Sequence, residues 1–189
     1  MIRVQIFVEG IADKKFLEDY LIHLGIDNCL VSAVGGKDEI KLSKVDFEKN
    51  YKLGIKNVII FDADQISKTK LDFQSYEFIN EFEIDFFFFP NNSENGDLET
   101  ILENIINTDN SEIFECWSAY EICLDSKVKN YTTPARKTKI YAYLEALLGE
   151  SKSQKKKIKE ENRNYLTKNL WNLDSTYLDQ LKNFIQKLK

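Results

Sequence analysis

Two aspartates separated by one residue close the apolar run Asn57-Val-Ile-Ile-Phe-Asp62-Ala-Asp64. In an extended chain residues i and i+2 point to the same side, so Asp62 and Asp64 are expected to face one cation together. Glu9 closes an earlier apolar run, Arg3–Val8, and Asp97 and Glu99 follow a later one, Ile84–Phe89. Crowded carboxylates repel and raise one another's pKa unless a cation neutralises them. A ligand set of oxygen alone, without His or Cys, suits a hard ion such as Mg²⁺ or Mn²⁺. Such an ion can hold a phosphodiester, polarise it and activate water. For a hydrophobic run ending in DxD taken alone, the bland reading is a solvated strand-end turn with a helix-capping Asp.

What positions these residues is a regular alternation of elements. Arg3–Val8 reads as a strand, and Gly10 permits a tight turn after it. Asp13 to Leu24 carries Phe16, Leu17, Tyr20 and Leu21 at helical spacing and ends at Gly25. Asn28–Val34 is a second strand-like run, ending at Gly35-Gly36-Lys37. Residues 38–51 mix the two periods, but their length and Lys/Glu content favour a helix. The run into Asp62 is apolar on both faces, as a buried parallel strand requires. Residues 1–64 thus read β-α-β-α-β, the signature of a parallel sheet with right-handed crossovers. Ligands in such sheets bind beyond the carboxyl ends of the strands. All the acidic residues named above fall at such ends, so the five are expected on one edge.

Residues 68–82 predict another helix. The strand Ile84–Phe89 stops at Pro90, which cannot continue a central ladder. Asp97 is a good N-cap for a helix with the stripe Leu98, Ile101, Leu102, Ile105 and Ile106. Glu99 sits at the edge of that stripe and can face a site. Beyond Asn107 the pattern is helical, over 111–124, 134–148 and 155–170, with a last helix capped by Asp174 or Ser175. The expected organisation is an α/β core over 1–107 and a helical extension over 108–189, packed on the core as one structural unit. The fold class is α/β, with a mainly parallel four-stranded sheet flanked by helices.

The totals exclude several classes. With 189 residues, 43% hydrophobic and 30% charged, the chain has the composition of one globular domain. Two Pro and seven Gly argue against both a turn-rich sandwich and disorder. One histidine, His23, nearly excludes a His-rich metal site or a Ser-His-Asp triad, and it is expected to be structural or on the surface. Cys29, Cys116 and Cys123 are an odd number without a CxxC, so they are expected as reduced core thiols of a cytoplasmic protein. No apolar run approaches a membrane span, and the N-terminus has no signal-peptide layout. The last 39 residues hold ten basic and four acidic side chains, a balance of +6, which against the total of −5 leaves −11 for the first 150. A basic tail beside an acidic body could meet a phosphate backbone, although charge runs usually mark a solvated face.

The motifs carry a resemblance. Val8-Glu9-Gly10 followed by Asp13-Lys14-Lys15-Phe16-Leu17 resembles the opening motif of toprim domains, and Val58–Asp64 resembles the toprim DxD. The Gly35-Gly36-Lys37 loop is similar to a loop of overcoming-lysogenisation-defect (OLD) nucleases. Phe88-Phe89-Pro90-Asn91-Asn92 and Gly96-Asp97-Leu98-Glu99 resemble the small toprim-like family DUF3226, along the full length of the chain. The toprim likeness covers residues 2–107. It implies Glu9 as general acid/base and Asp62 and Asp64 as metal ligands, with Asp97 or Glu99 as a further acidic ligand and Lys14, Gly36 and Lys37 at phosphate. The chain lacks room for the large domains of toprim topoisomerases and primases. The resemblance therefore implies a minimal Mg²⁺- or Mn²⁺-dependent nuclease acting on nucleic acid, or a catalytically silent module that binds nucleotide, nucleic acid or protein. Receiver, haloacid-dehalogenase and glycosyltransferase readings fit less well: the first wants an acidic pair after strand one, the second wants DxDxT on strand one, and the third wants a longer chain.

Overall fold

The structure is a computed structural model that describes residues 2–188. Its centre is a four-stranded sheet of order β2-β1-β3-β4, parallel throughout. The chain runs β1 (Val4–Val8), α1 (Ile11–His23), β2 (Cys29–Ala33), a 3-10 turn (Asp38–Ser43), α2 (Lys44–Lys52), β3 (Lys56–Asp62), α3 (Ile66–Gln74), α4 (Glu77–Glu81) and β4 (Asp85–Phe89). Then follow α5 (Leu98–Asn104), α6 (Ser111–Asp125), α7 (Arg136–Leu148), α8 (Lys152–Lys156) and α9 (Asp179–Gln186).

Alternation along the central strands divides the core in two. Val4, Ile6, Val8, Val58 and Ile60 face α1, α5, α7 and α9, whereas Phe7, Ile59 and Phe61 face α2, α3 and α4. Both faces are covered, so between the charged ends of β3, Lys56 and Asp62, the middle strands are apolar in every position except Gln5 and Asn57. Each of these is hydrogen-bonded: Gln5 donates to Ser32 Oγ (3.1 Å) and the Leu30 carbonyl (3.2 Å), and Asn57 donates to the Phe47 carbonyl (2.9 Å). That satisfies the condition for burying an amide.

The later helices share the first of these cores. Leu170, Trp171, Leu178, Leu181 and Ile185 are buried with the sheet residues. A short antiparallel bridge pairs Ile106 with Trp171, and Asp19 on α1 accepts a hydrogen bond from the Tyr165 amide (2.8 Å).

Three expectations need correction. The helix expected over 155–170 is absent. Instead α8 gives way to a 3-10 turn, Glu160–Asn162, and irregular chain. Asn164 Oδ1 accepts from the Leu166 amide (3.0 Å) and Asn172 Oδ1 from the Asp174 amide (3.1 Å). Such Asn side chains offer the backbone an alternative to helix. The helix over 68–82 is two, α3 and α4, broken at Ser75, whose hydroxyl donates back to the Asp72 carbonyl (2.6 Å). The cysteines are not core thiols: Cys29 is half-buried, and Cys116 and Cys123 are exposed on α6. His23, expected to be structural or on the surface, is half-buried, stacked on Tyr20 and 2.9 Å from Asp174.

Candidate functional site

The strand order reverses between β1 and β3. The chain leaves β1 for β2 on one side and β3 for β4 on the other, so a crevice opens beyond the carboxyl ends of the two central strands. Glu9 follows β1 and Asp62 ends β3, directly at that opening. Glu9 Oε1 accepts a hydrogen bond from the Asp62 amide (3.1 Å), which ties the two strand ends together. Asp62 Oδ1 in turn accepts from the Leu98 amide at the start of α5 (3.2 Å). Asp13 in the first turn of α1 accepts from the Gly10 amide (2.8 Å). These contacts place three carboxyl groups at the mouth of one cleft, near helix N-termini that favour negative charge.

The cleft has a volume of about 550 Å³ and is lined by Glu9, Asp13, Asp62 and Glu99, with Gly35 and Gly36 on one side and Lys137 and Glu160 on another. Burial and mutual repulsion drive its acids upward. Burial first, then Asp13, Glu9, Asp97 and Glu99, push the Asp62 carboxyl to about 8. Burial, opposed by the Gly10 hydrogen bond and assisted by Glu9 and Glu99, takes Asp13 to about 6. Burial also raises Glu9 against the pull of Lys37, and raises Glu99 with help from Asp97. Among the described residues Asp62 forms no ion pair. A second cavity, about 230 Å³, is lined by His23, Trp171 and Asp174 among others but gathers no such group of acids.

Not all the expected residues converge. Glu9, Asp62, Glu99 and Gly36 line the cleft. Asp64 does not. The peptide of Ala63 is taken by an antiparallel bridge to Gly96, with Ala63 N–H donating to the Gly96 carbonyl and Gly96 N–H to the Ala63 carbonyl (2.9 Å each). The extended run therefore stops at Asp62 and Asp64 lies in a turn, 78% exposed, bound to Lys37 Nζ at 2.6 Å. The same ammonium stands 3.7 Å from Glu9 Oε1. Burial alone would lower the Lys37 pKa, but the hydrogen bond to Asp64 and the fields of Glu9, Asp64 and Asp62 raise it. Asp97 is a helix cap: its Oδ1 accepts from the Thr100 amide (2.8 Å) and lies 2.9 Å from Arg136 Nη1. Lys14 points along α1 to Glu18 (3.7 Å), away from the cleft lining.

Three residues went unselected in the sequence. Asp13 stood in the opening motif but was read as a helix start. Lys137 and Glu160, paired at 2.5 Å, come from the extension and had no sequence signal at all.

The fold and site define a parallel α/β protein with an acidic crevice at its topological switch point. The family described as "Protein of unknown function (DUF3226)" matches residues 3–189, and the chain belongs to it. One solved structure, the C-terminal region of the Burkholderia pseudomallei OLD protein, is similar over 99% of this chain and 98% of its own, at 14% identity and a TM-score of 0.44. No curated protein matches the chain.

Proposed function

We propose that the cleft serves metal-dependent phosphodiester chemistry on nucleic acid. Asp62 carries the reading: a half-buried carboxyl group at the switch point, surrounded by Asp13, Glu9 and Glu99 and without an ion pair among the described residues. Such a group calls for a cation. The donor set is oxygen only, which suits Mg²⁺ or Mn²⁺. Among the described residues no three acidic, His or Cys groups are drawn together tightly enough to chelate an ion as they stand. Asp62 and Glu9 would hold it, and Asp64 would join only by releasing Lys37. The ion, when bound, supplies Lewis-acid polarisation of a phosphoryl oxygen. Glu9, beside the ion, takes the proton from the attacking water and returns it to the leaving oxygen. Lys137, which lines the cleft, and Lys37, at its rim beside Glu9, meet the phosphate charge. The order Glu9-Gly10 then Asp62-x-Asp64, which resembles toprim domains, supports the same assignment.

The second reading is a catalytically silent module that binds nucleotide, nucleic acid or protein. The Lys37–Asp64 contact favours it, because an internal ammonium already balances part of the acidic charge. One experiment separates the two. Purified protein is incubated with single- and double-stranded DNA and RNA in Mg²⁺, Mn²⁺ or EDTA, with Glu9→Gln and Asp62→Asn alongside. Metal-dependent cleavage lost in both variants is the expected result. Cleavage in EDTA, or cleavage that neither variant touches, overturns the assignment. Metal-dependent binding without cleavage establishes the silent module.

A further inference from the structure

Helix α6 combines length with exposure. It is 15 residues long, roughly 22 Å at 1.5 Å per residue, and none of its residues is fully buried. One side rests against α7 through Ile113, Phe114 and Trp117. A neighbouring strip carries Glu112, Cys116, Ala119, Tyr120, Cys123 and Lys127, every one of them exposed, with Cys116 and Tyr120 at its edge where they border the α7 groove. Their spacing is i, i+4, i+7, i+8, i+11, i+15, which is a single helical stripe. Lys127 still belongs to it, since its amide donates to the Leu124 carbonyl (3.1 Å) and continues the turn. A stripe of apolar and thiol side chains facing water at helical spacing is the pattern of a helix lacking its partner.

The order of residues within the stripe identifies that partner. An antiparallel two-fold pairing centred between Ala119 and Tyr120 sets each residue against its mirror position. Cys116 then lies opposite Cys123 of the second copy, and small Ala119 lies opposite large Tyr120. Glu112, at the acidic start of the helix, lies opposite Lys127 at its basic end. A parallel pairing through the same stripe would instead set Glu112, Tyr120 and Lys127 each against itself, with like charges together and the bulkiest side chains in collision. The antiparallel register is self-complementary in charge and in size, as an isologous interface must be.

We propose that α6 pairs antiparallel with α6 of a second copy of this chain, forming a two-fold homodimer. Tyr120 is already held for the purpose: its ring lies against Trp117, centroids 5.6 Å apart in edge-on contact, so little side-chain freedom remains to be lost. A single helix pair falls at the small end of specific interfaces, below roughly 1,200 Å² in total, so the dimer is concentration-dependent.

Sedimentation velocity of the full chain over a wide concentration range, under reducing conditions, reads the association. A reversible monomer–dimer equilibrium is expected. Glu112→Lys and Lys127→Glu each weaken it by about tenfold, and the double exchange restores it, because only this register sets the two residues face to face. Ala119→Arg abolishes the dimer with an unchanged circular dichroism spectrum and melting temperature, which shows that the fold is intact. Mild oxidation with diamide supplies the register directly. The two thiols lose two protons and two electrons to the diazene, which becomes a hydrazine, and one intermolecular disulfide forms. Cross-linking disappears in Cys116→Ser and equally in Cys123→Ser, since each bond needs one cysteine of each kind. A monomer at every concentration overturns the proposal, as does failure of the double exchange to restore association or a cross-link that survives either single cysteine replacement.

Discussion

The cleft and its rim treat carboxylates in opposite ways. On the rim each acid has a partner: Asp64 holds Lys37, Asp97 caps α5 and meets Arg136, and Glu103 meets Lys139 at 3.0 Å. Inside, Asp13 and Asp62 accept backbone hydrogen bonds without a cation beside them, Glu9 has only the more distant Lys37 at 3.7 Å, and burial with the neighbouring carboxylates pushes all of Glu9, Asp13, Asp62 and Glu99 upward. Asp62 and Asp64 are two residues apart, yet one sits in each environment. The fold, not the motif, decides which carboxylate is stressed. Charge repulsion that is tolerated at a strand end marks a place where something of opposite sign belongs.

The largest expected effects break the inner cluster. Asp62→Asn removes its charge while the amide oxygen keeps the bond from Leu98. If the cleft cleaves phosphodiesters, this variant and Glu9→Gln each lose about 10²–10⁴-fold in rate, measured with one labelled substrate at saturating metal. Asp64→Asn loses far less.

The pH dependence is next in size. Asp62 and Asp13 ionise harder in the folded chain than in the unfolded one, so the folded state binds more protons between the two values. The favourable contribution is full below about pH 4. Asp13 loses its part as pH rises towards about 6, and Asp62 loses its part towards about 8. The metal-free protein is expected to lose stability steadily across that window, read as a falling urea midpoint. Asp62→Asn flattens the upper half of the slope. Mg²⁺ or Mn²⁺ at pH 8 recovers stability in the native chain and not in the variant; equal recovery in both would show that the ion binds elsewhere.

Much of this was legible in the residues. The parallel sheet followed from β-branched runs at regular spacing, and Glu9 and Asp62 from the positions where those runs end. The rest was hidden for identifiable reasons. The i, i+2 rule places Asp64 beside Asp62 only if the strand continues, and the bridge between Ala63 and Gly96, 33 residues apart in sequence, ends it. The helix expected over 155–170 gives way where the Asn164 side chain takes the Leu166 amide. Asp13 hid inside a helix start, where an acid needs no special explanation. Lys137 and Glu160 reach the cleft by tertiary packing alone, which no local pattern encodes.

Gly96 is the hinge between the two environments. A Cβ there would fall 2.8 Å from Thr100 Oγ1 and 2.9 Å from Pro90 Cδ. Gly96→Ala must therefore push the start of α5 outward, and overpacking of this kind costs about 1–3 kcal/mol. It should also lengthen the Leu98–Asp62 hydrogen bond, so the variant's pH slope shifts even though no titrating group has changed. A melting temperature and pH slope equal to those of the native chain would show that the bridge does not hold the strand end.

The smallest effect is the most discriminating. Asp64 and Lys37 form an exposed pair, and such pairs are worth about 0–1 kcal/mol. Asp64→Asn should leave the urea midpoint nearly unchanged. Lys37→Met removes the ammonium that now stands between Glu9 and Asp64, and it leaves both acids without a counter-charge. Divalent-ion affinity, measured by titration calorimetry, should then rise in Lys37→Met, and the gain should vanish in the double variant with Asp64→Asn. If affinity rises equally with and without Asp64, the rim aspartate is not a ligand and the ion is held by the inner cluster alone. If it does not rise at all, Lys37 is no competitor for the cation position, and its contact with Asp64 belongs to the rim.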